Sequence, residues 1–99
     1  MEYNLQSVHF DADIKLIDFI EKKLYKLETF HDKIISADVI LKMENNEQIK
    51  DKIVEIKLNM PGTVLVSKEN CKTFEESVDL VCDALRKQIL KFKEKIREY

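Results

Sequence analysis

The stretch Thr73–Ile96, TFEESVDLVCDALRKQILKFKEKI, carries the reading that decides the fold. Phe74, Val78, Val81, Cys82, Leu85, Ile89, Phe92 and Ile96 recur at three- and four-residue spacing, which places them on one face of an α-helix of about six turns. Thr73-Phe74-Glu75-Glu76 opens that helix as a capping box, in which the Thr73 hydroxyl and the Glu76 carboxylate each accept from a backbone amide that would otherwise lack a partner. No breaker interrupts the run, so the helix is predicted to continue to near the C-terminus. A long helix with one apolar stripe must lie on something, and the rest of the chain has to supply it.

Upstream, Pro61-Gly62 holds the only proline and the only glycine of the chain. As a pair they predict a tight turn joining two antiparallel strands, Lys52 to Asn59 and Val64 to Ser67. In the first of these, Val54, Ile56, Leu58 and Met60 face one way; Ile53, Glu55, Lys57 and Asn59 face the other. Glu44 to Gln48 is polar without apolar periodicity and reads as a flexible loop. Before it, Ala37, Val39, Leu41 and Met43 alternate with Ser36, Asp38 and Lys42, a half-buried strand whose polar side is broken by Ile40. Phe30 to Lys33 makes a connection. Leu16, Ile17, Ile20, Leu24 and Leu27 form the stripe of a helix over Ile14 to Glu28, with Asp13 as its N-cap. Glu2 to His9, with Tyr3 and Leu5 on one face, reads as a first strand.

The order is therefore β-α-β-β-β-α. It predicts a two-layer α+β domain, a four-stranded sheet with both helices on one face, spanning residues 1–99 as a single unit. The first helix is a right-handed crossover between parallel strands, and the remaining strands form a meander.

Composition narrows the function. With 44% hydrophobic and 36% charged residues in a chain of 99, the protein reads as folded and soluble, and no segment approaches the roughly 20 apolar residues that span a bilayer. MEYNLQSVHF has neither a basic segment leading into an apolar one nor a small-residue cleavage site, so a cytoplasmic location is expected and no membrane partner. Cys71 and Cys82 belong to no CxxC pair and read as free thiols; His9 and His31 lie beside turn-like segments and read as surface or cap residues. A Gly-rich phosphate loop, HExxH, GxSxG and Walker patterns are all absent. The expectation is a protein that is not an enzyme, with no catalytic residues, no metal, no cofactor and no small-molecule substrate.

Charge is the remaining signal. The net charge is −2, yet Glu69 to Asp83 holds five acids and one base whereas Ala84 to Tyr99 holds six bases and two acids. The acidic half of the last helix is expected to repel phosphate, which concentrates any RNA contact on residues 84–99. On a helical wheel Lys87, Lys91 and Lys95 flank one side of the apolar stripe; Arg86, Lys93 and Arg97 flank the other. The first helix adds Lys15, Lys22 and Lys26 away from its own stripe, with Lys23 at the margin. Side by side, the two helices would present a basic platform able to follow an RNA backbone, because phosphate neutralisation supplies most sequence-independent affinity. The same pattern also complements a helix macrodipole and solubilises a surface. The alternative is a protein-interaction module that docks through its charged helices. Phe19 and Tyr25 lie off the apolar stripe, placed either to pack or to stack on bases.

The segments HFDADIKLIDFIEKKLYKLETF and TFEESVDLVCDALRKQILKFKEK together resemble the ribosome hibernation-promoting factor family, also described as the ribosome-associated inhibitor or sigma-54 modulation protein family. The resemblance rests on Lys23-Leu24 and Lys26-Leu27 in the first helix, and on Asp79 and the run from Asp83 to Lys93 in the second. It covers essentially the whole chain and looks like the short form. It implies binding of small-subunit rRNA, on the free subunit or the 70S ribosome, in the channel used by messenger and transfer RNA, and inhibition of translation by occlusion. Carried over by position, the residues implied to meet rRNA are Lys22, Lys23 and Lys26, then Arg86, Lys87, Lys91, Lys93 and Lys95, with Gln88 adding a polar contact. Glu75, Glu76 and Ser77 depart from the family's pattern of an aromatic and small residues there, which removes that first turn from the implied site.

Overall fold

In a computed structural model describing residues 1–45 and 50–97, the elements are β1 (Glu2–Val8), α1 (Ile14–Glu28), β2 (Ser36–Asn45), β3 (Lys50–Met60), β4 (Thr63–Cys71) and α2 (Phe74–Arg97). The strands lie in sequential order, β1-β2-β3-β4. β1 and β2 are parallel, running from Glu2 opposite Ser36 to Val8 opposite Lys42. A parallel pair cannot be closed by a hairpin, so α1 makes the crossover. β2 with β3 and β3 with β4 are antiparallel, and Gly62 takes a positive φ of 81° in the turn that joins the second pair. The two-layer α+β arrangement expected from the sequence is the one found.

The core lies between the layers. Leu16, Ile20, Leu24 and Leu27 of α1 and Val78, Val81, Leu85 and Ile89 of α2 are buried in one cluster with Ala37, Val39 and Leu41 of β2 and Val54, Ile56, Leu58 and Met60 of β3. Phe92 packs against this cluster half-buried, while the expected core position Ile96 lies outside the residues whose side chains are described. The outer sheet face is largely polar but carries Ile40 and Ile53 and, on β4, the exposed Val64 and Val66. Ile40 stands opposite Glu55, and Ile53 stands between Lys42 and Asn70. The two isoleucines are thus diagonal neighbours, which accounts for Ile53 being only 5% exposed on the face expected to be wet.

Apart from shifts of one residue, three boundaries differ from expectation. β4 continues past Ser67 to Cys71, because β3 offers a continuous ladder as far as Lys52 opposite Cys71. β2 continues through Glu44 and Asn45 for the same reason, paired with Asp51 and Lys50; the rest of the expected Glu44–Gln48 loop lies outside the described residues. β3 begins at Lys50 rather than Lys52.

The helix starts follow local chemistry. Asp13 caps α1, its carboxylate accepting from the Lys15 amide at 3.4 Å, and Thr73 caps α2, its hydroxyl accepting from the Glu76 amide at 3.2 Å. The return bond from Glu76 to the Thr73 amide is not among the hydrogen bonds of the described residues, so the cap is one-sided. Thr73→Ala is expected to lower stability by about 1 kcal/mol, read as a lower urea midpoint with an unchanged slope. One turn further on, Ser77 is fully buried and its hydroxyl donates to the Lys52 carbonyl at 2.7 Å, tying α2 to β3.

α1 and α2 run in the same direction. Phe10 stacks on Phe74 at 5.1 Å just before α1 and at the start of α2, Lys23 meets Asp79 midway, and Phe30 meets Arg86 beyond the end of α1. At 24 residues α2 is about 36 Å long, so its last turns outrun the 15-residue α1.

Candidate nucleic-acid interface

The contacts of α1 divide its charges. Glu21 accepts from the Tyr3 hydroxyl at 2.8 Å and Glu28 pairs with the N-terminal ammonium at 3.1 Å, so these carboxylates turn towards β1. The Glu21 bond also pushes the Tyr3 hydroxyl pKa upwards. Lys23 turns the other way and pairs with Asp79 of α2 at 2.7 Å. The basic side of α1 therefore adjoins α2, as a platform across both helices requires.

The nine residues implied to contact RNA fall into two groups. Lys22, Lys26, Lys87, Lys91 and Lys95 are exposed. Of these, Lys87 lies 3.3 Å from Asp83 one turn earlier on α2. Lys23, Arg86, Gln88 and Lys93 are half-buried and already hold partners within the chain. Arg86 pairs with Asp83 at 3.0 Å and lies 5.9 Å from the Phe30 ring centre. The Lys93 ammonium donates to the Phe30 carbonyl, where the α1 chain has just ended and its dipole favours a cation. Gln88 donates to the Val66 carbonyl at 3.1 Å, on the outer edge of β4. Lys22, Lys23 and Lys26 thus stand on α1 and Arg86, Lys87, Lys91 and Lys95 on α2, with Arg86 on the flank that meets α1; Gln88 is turned to the sheet edge and Lys93 to the end of α1.

Asp83 is the hub of the paired group. Hydrogen bonds from Arg86 and then Lys87 hold its carboxyl below the usual carboxylate range. All three side chains are substantially exposed, so these pairs contribute little to folding and can exchange partners with an incoming phosphate. Asp79 and Asp83 lie in the half of α2 expected to repel phosphate; in the fold each is neutralised by a cation of the same face.

Between the helices lies a groove of about 140 Å³, with Leu27, Phe30 and Cys82 among its walls and Lys26, Asp79 and Arg86 at its rim. Cys82 is free, and burial pushes its thiol up to about 12, with the Lys23 charge opposing and the Asp79 charge adding. A thiol with an ordinary value of 9.0 ionises in the unfolded chain well before it does in the fold. Stability therefore falls as pH rises above about 9, with a slope from this group approaching about 1.4 kcal/mol per pH unit. Urea titrations at stepped alkaline pH should show Cys82→Ala losing less stability than wild type over that window.

The remaining sequence readings resolve simply. The His31 ring nitrogen Nδ1 accepts from the Lys33 amide at 3.0 Å, a turn-closing role, and His9 is exposed with a positive φ of 65°. Phe19 packs against the core with the Lys23 ammonium 5.4 Å from its ring centre, whereas Tyr25 stays 48% exposed. Among the described residues no cluster of metal-ligating side chains occurs, and no helix is long and apolar enough to cross a membrane.

The chain is 33% identical over 95 residues to a ribosome hibernation promoting factor of Azotobacter vinelandii, covering 96% of this chain and 85% of that one. It is 32% identical over 98 residues to a ribosome hibernation promotion factor of Bacillus subtilis (strain 168), covering 97% of this chain and 50% of that one. Its fold superposes on a ribosomal subunit interface protein from Coxiella burnetii with a TM-score of 0.84 at 24% identity, covering 95% of this chain and 99% of that one. Residues 3–97 match the family described as Sigma 54 modulation protein / S30EA ribosomal protein, and with the sheet, the helix pair and the charged face all in place the chain belongs to that family.

Proposed function

We propose that this protein is a ribosome hibernation factor whose residues 1–99 act as one binding domain, seated on small-subunit rRNA in the channel used by messenger and transfer RNA. It inhibits translation by occupying that channel, without catalysing a reaction, and works where ribosomes are, in the cytoplasm. The observation that carries the proposal is the row of exposed lysines, Lys22 and Lys26 on α1 and Lys87, Lys91 and Lys95 on α2, on elements that the fold holds side by side. The names of the relatives support the ribosome as partner. A two-helix face about 22 Å long, carried on by the last turns of α2 to about 36 Å, suits a phosphate backbone, and Arg86 and Lys23 join it when phosphate displaces their carboxylates.

Sedimentation with small subunits, large subunits and intact ribosomes across a salt series tests this. The expected result is saturable binding to small subunits and intact ribosomes, weakening linearly on a log–log salt plot. Failure to co-sediment even at low salt would overturn the reading and leave a protein partner for the charged helices.

A further inference from the structure

The groove between α1 and α2 has a chemistry that phosphate binding does not use. Its lining joins the apolar body of Leu27, the Phe30 ring and the buried Cys82 to two carboxylates, Asp79 and Asp83, of which Asp83 is held by Arg86, and to the cations Lys23, Lys26 and Arg86. We infer that this groove takes one unstacked nucleobase bearing an exocyclic amine, a reading that rests on the helical face meeting RNA. Three observations support it. A volume of about 140 Å³ is close to that of the protein cavity of roughly 150 Å³ that accommodates benzene, so it seats the six-membered ring of one base, the rest of a purine lying in the open mouth. Phe30 and the guanidinium of Arg86, 5.9 Å apart, offer the flat surfaces on which single-stranded bases stack. And Lys26, exposed and part of the groove's lining, offers a cation for the phosphate of an extruded nucleotide.

Asp79 sets the preference. Its Oδ1 carries the Lys23 pair, leaving Oδ2 as an acceptor at the rim. An ionised carboxylate only accepts, so it favours the amino groups of adenine, cytosine or guanine and opposes the carbonyl that uracil presents in the same position. Lys23 keeps Asp79 ionised and oriented, and Lys26 or Arg86 can donate to the acceptor atoms of the same base.

The test uses the whole chain, isotopically labelled, titrated with CMP, AMP, GMP, UMP and inorganic phosphate while backbone amide resonances are followed. CMP, AMP and GMP should shift Leu27, Phe30, Asp79 and Cys82 saturably, with UMP about tenfold weaker, the share of one charge-assisted hydrogen bond. Asp79→Asn, whose amide can donate as well as accept, should erase that difference by strengthening UMP; a loss of folding would show instead as collapse of the whole spectrum. Equal shifts from all four nucleotides and from phosphate, scattered over the lysines, would overturn the inference, as would the absence of saturable shifts. Co-sedimentation of the same preparation with small subunits separates the two readings: binding without groove occupancy removes the base site alone, and groove occupancy without binding removes the ribosome reading alone.

Discussion

Reversing Lys87 and Lys91 to glutamate is expected to weaken binding to the small ribosomal subunit by roughly a hundredfold and to lower the slope of the salt dependence by about two. Both side chains are exposed on the same half of α2, and neither supports the core. Each reversal removes a phosphate contact and adds a repulsion, which is why the effect exceeds that of truncation. The fold should survive. The carboxylate introduced by Lys87→Glu would face Asp83 one turn away, and the one introduced by Lys91→Glu would follow it after another turn, each repulsion costing a few tenths of a kcal/mol. The second carboxylate would in return precede Lys95 by four residues, the favourable order for such a pair. Sedimentation paired with a thermal melt reads both quantities; an unchanged affinity with an unchanged melting temperature removes α2 from the interface.

Leu85→Ala is expected to be the most damaging single truncation of the fold, costing about 3 kcal/mol and lowering the melting temperature by on the order of 15 °C. Leu85 is fully buried at the middle of the α2 stripe, in the cluster that joins both helices to β2 and β3. Close packing leaves neighbours little room to collapse into the space of the lost side chain, so transfer and cavity costs add. For a domain of this size that is a large share of a total stability of roughly 5–15 kcal/mol. The measurement is denaturant unfolding followed by far-ultraviolet circular dichroism; a loss below about 1 kcal/mol would mean that the helix layer repacks freely over the sheet.

These two outcomes lie at different depths of what the sequence reveals. The Leu85 stripe is legible at once, because helical period and burial are properties of neighbours in the chain. The ends of α1 are legible for the same reason: Asp13 supplies the cap and Leu27 the last stripe position. The second half of β4 is not, since Lys68, Glu69 and Asn70 carry no apolar alternation and become strand only because β3 lies alongside. Nor is the burial of Ile53, whose neighbours on that face, Ile40 among them, come from other strands. Ser77 reads in sequence as one more polar residue of an acidic first turn, but its hydroxyl is the buried tie to β3.

The site divides in the same way. That the lysines stand on two helices, largely exposed, follows from the helical wheel. What each cation touches does not follow, because the partners are remote: Lys93 and Phe30 lie 63 residues apart. Asp79 and Lys23 belong to different helices, so their pairing and the groove beside it become visible only once the helices are known to run the same way.

The division of charge across α1 has a consequence for arrival rather than for affinity. Glu21 and Glu28 of α1 lean towards β1 and Lys23 towards α2, so a chain of net charge −2 still carries a dipole across this helix. Near a polyanion its monopole is repelled, but the torque on the dipole turns the lysine rows inward before contact. A larger share of collisions then starts in the right orientation, and salt, by screening that torque, slows capture as well as loosening the finished complex.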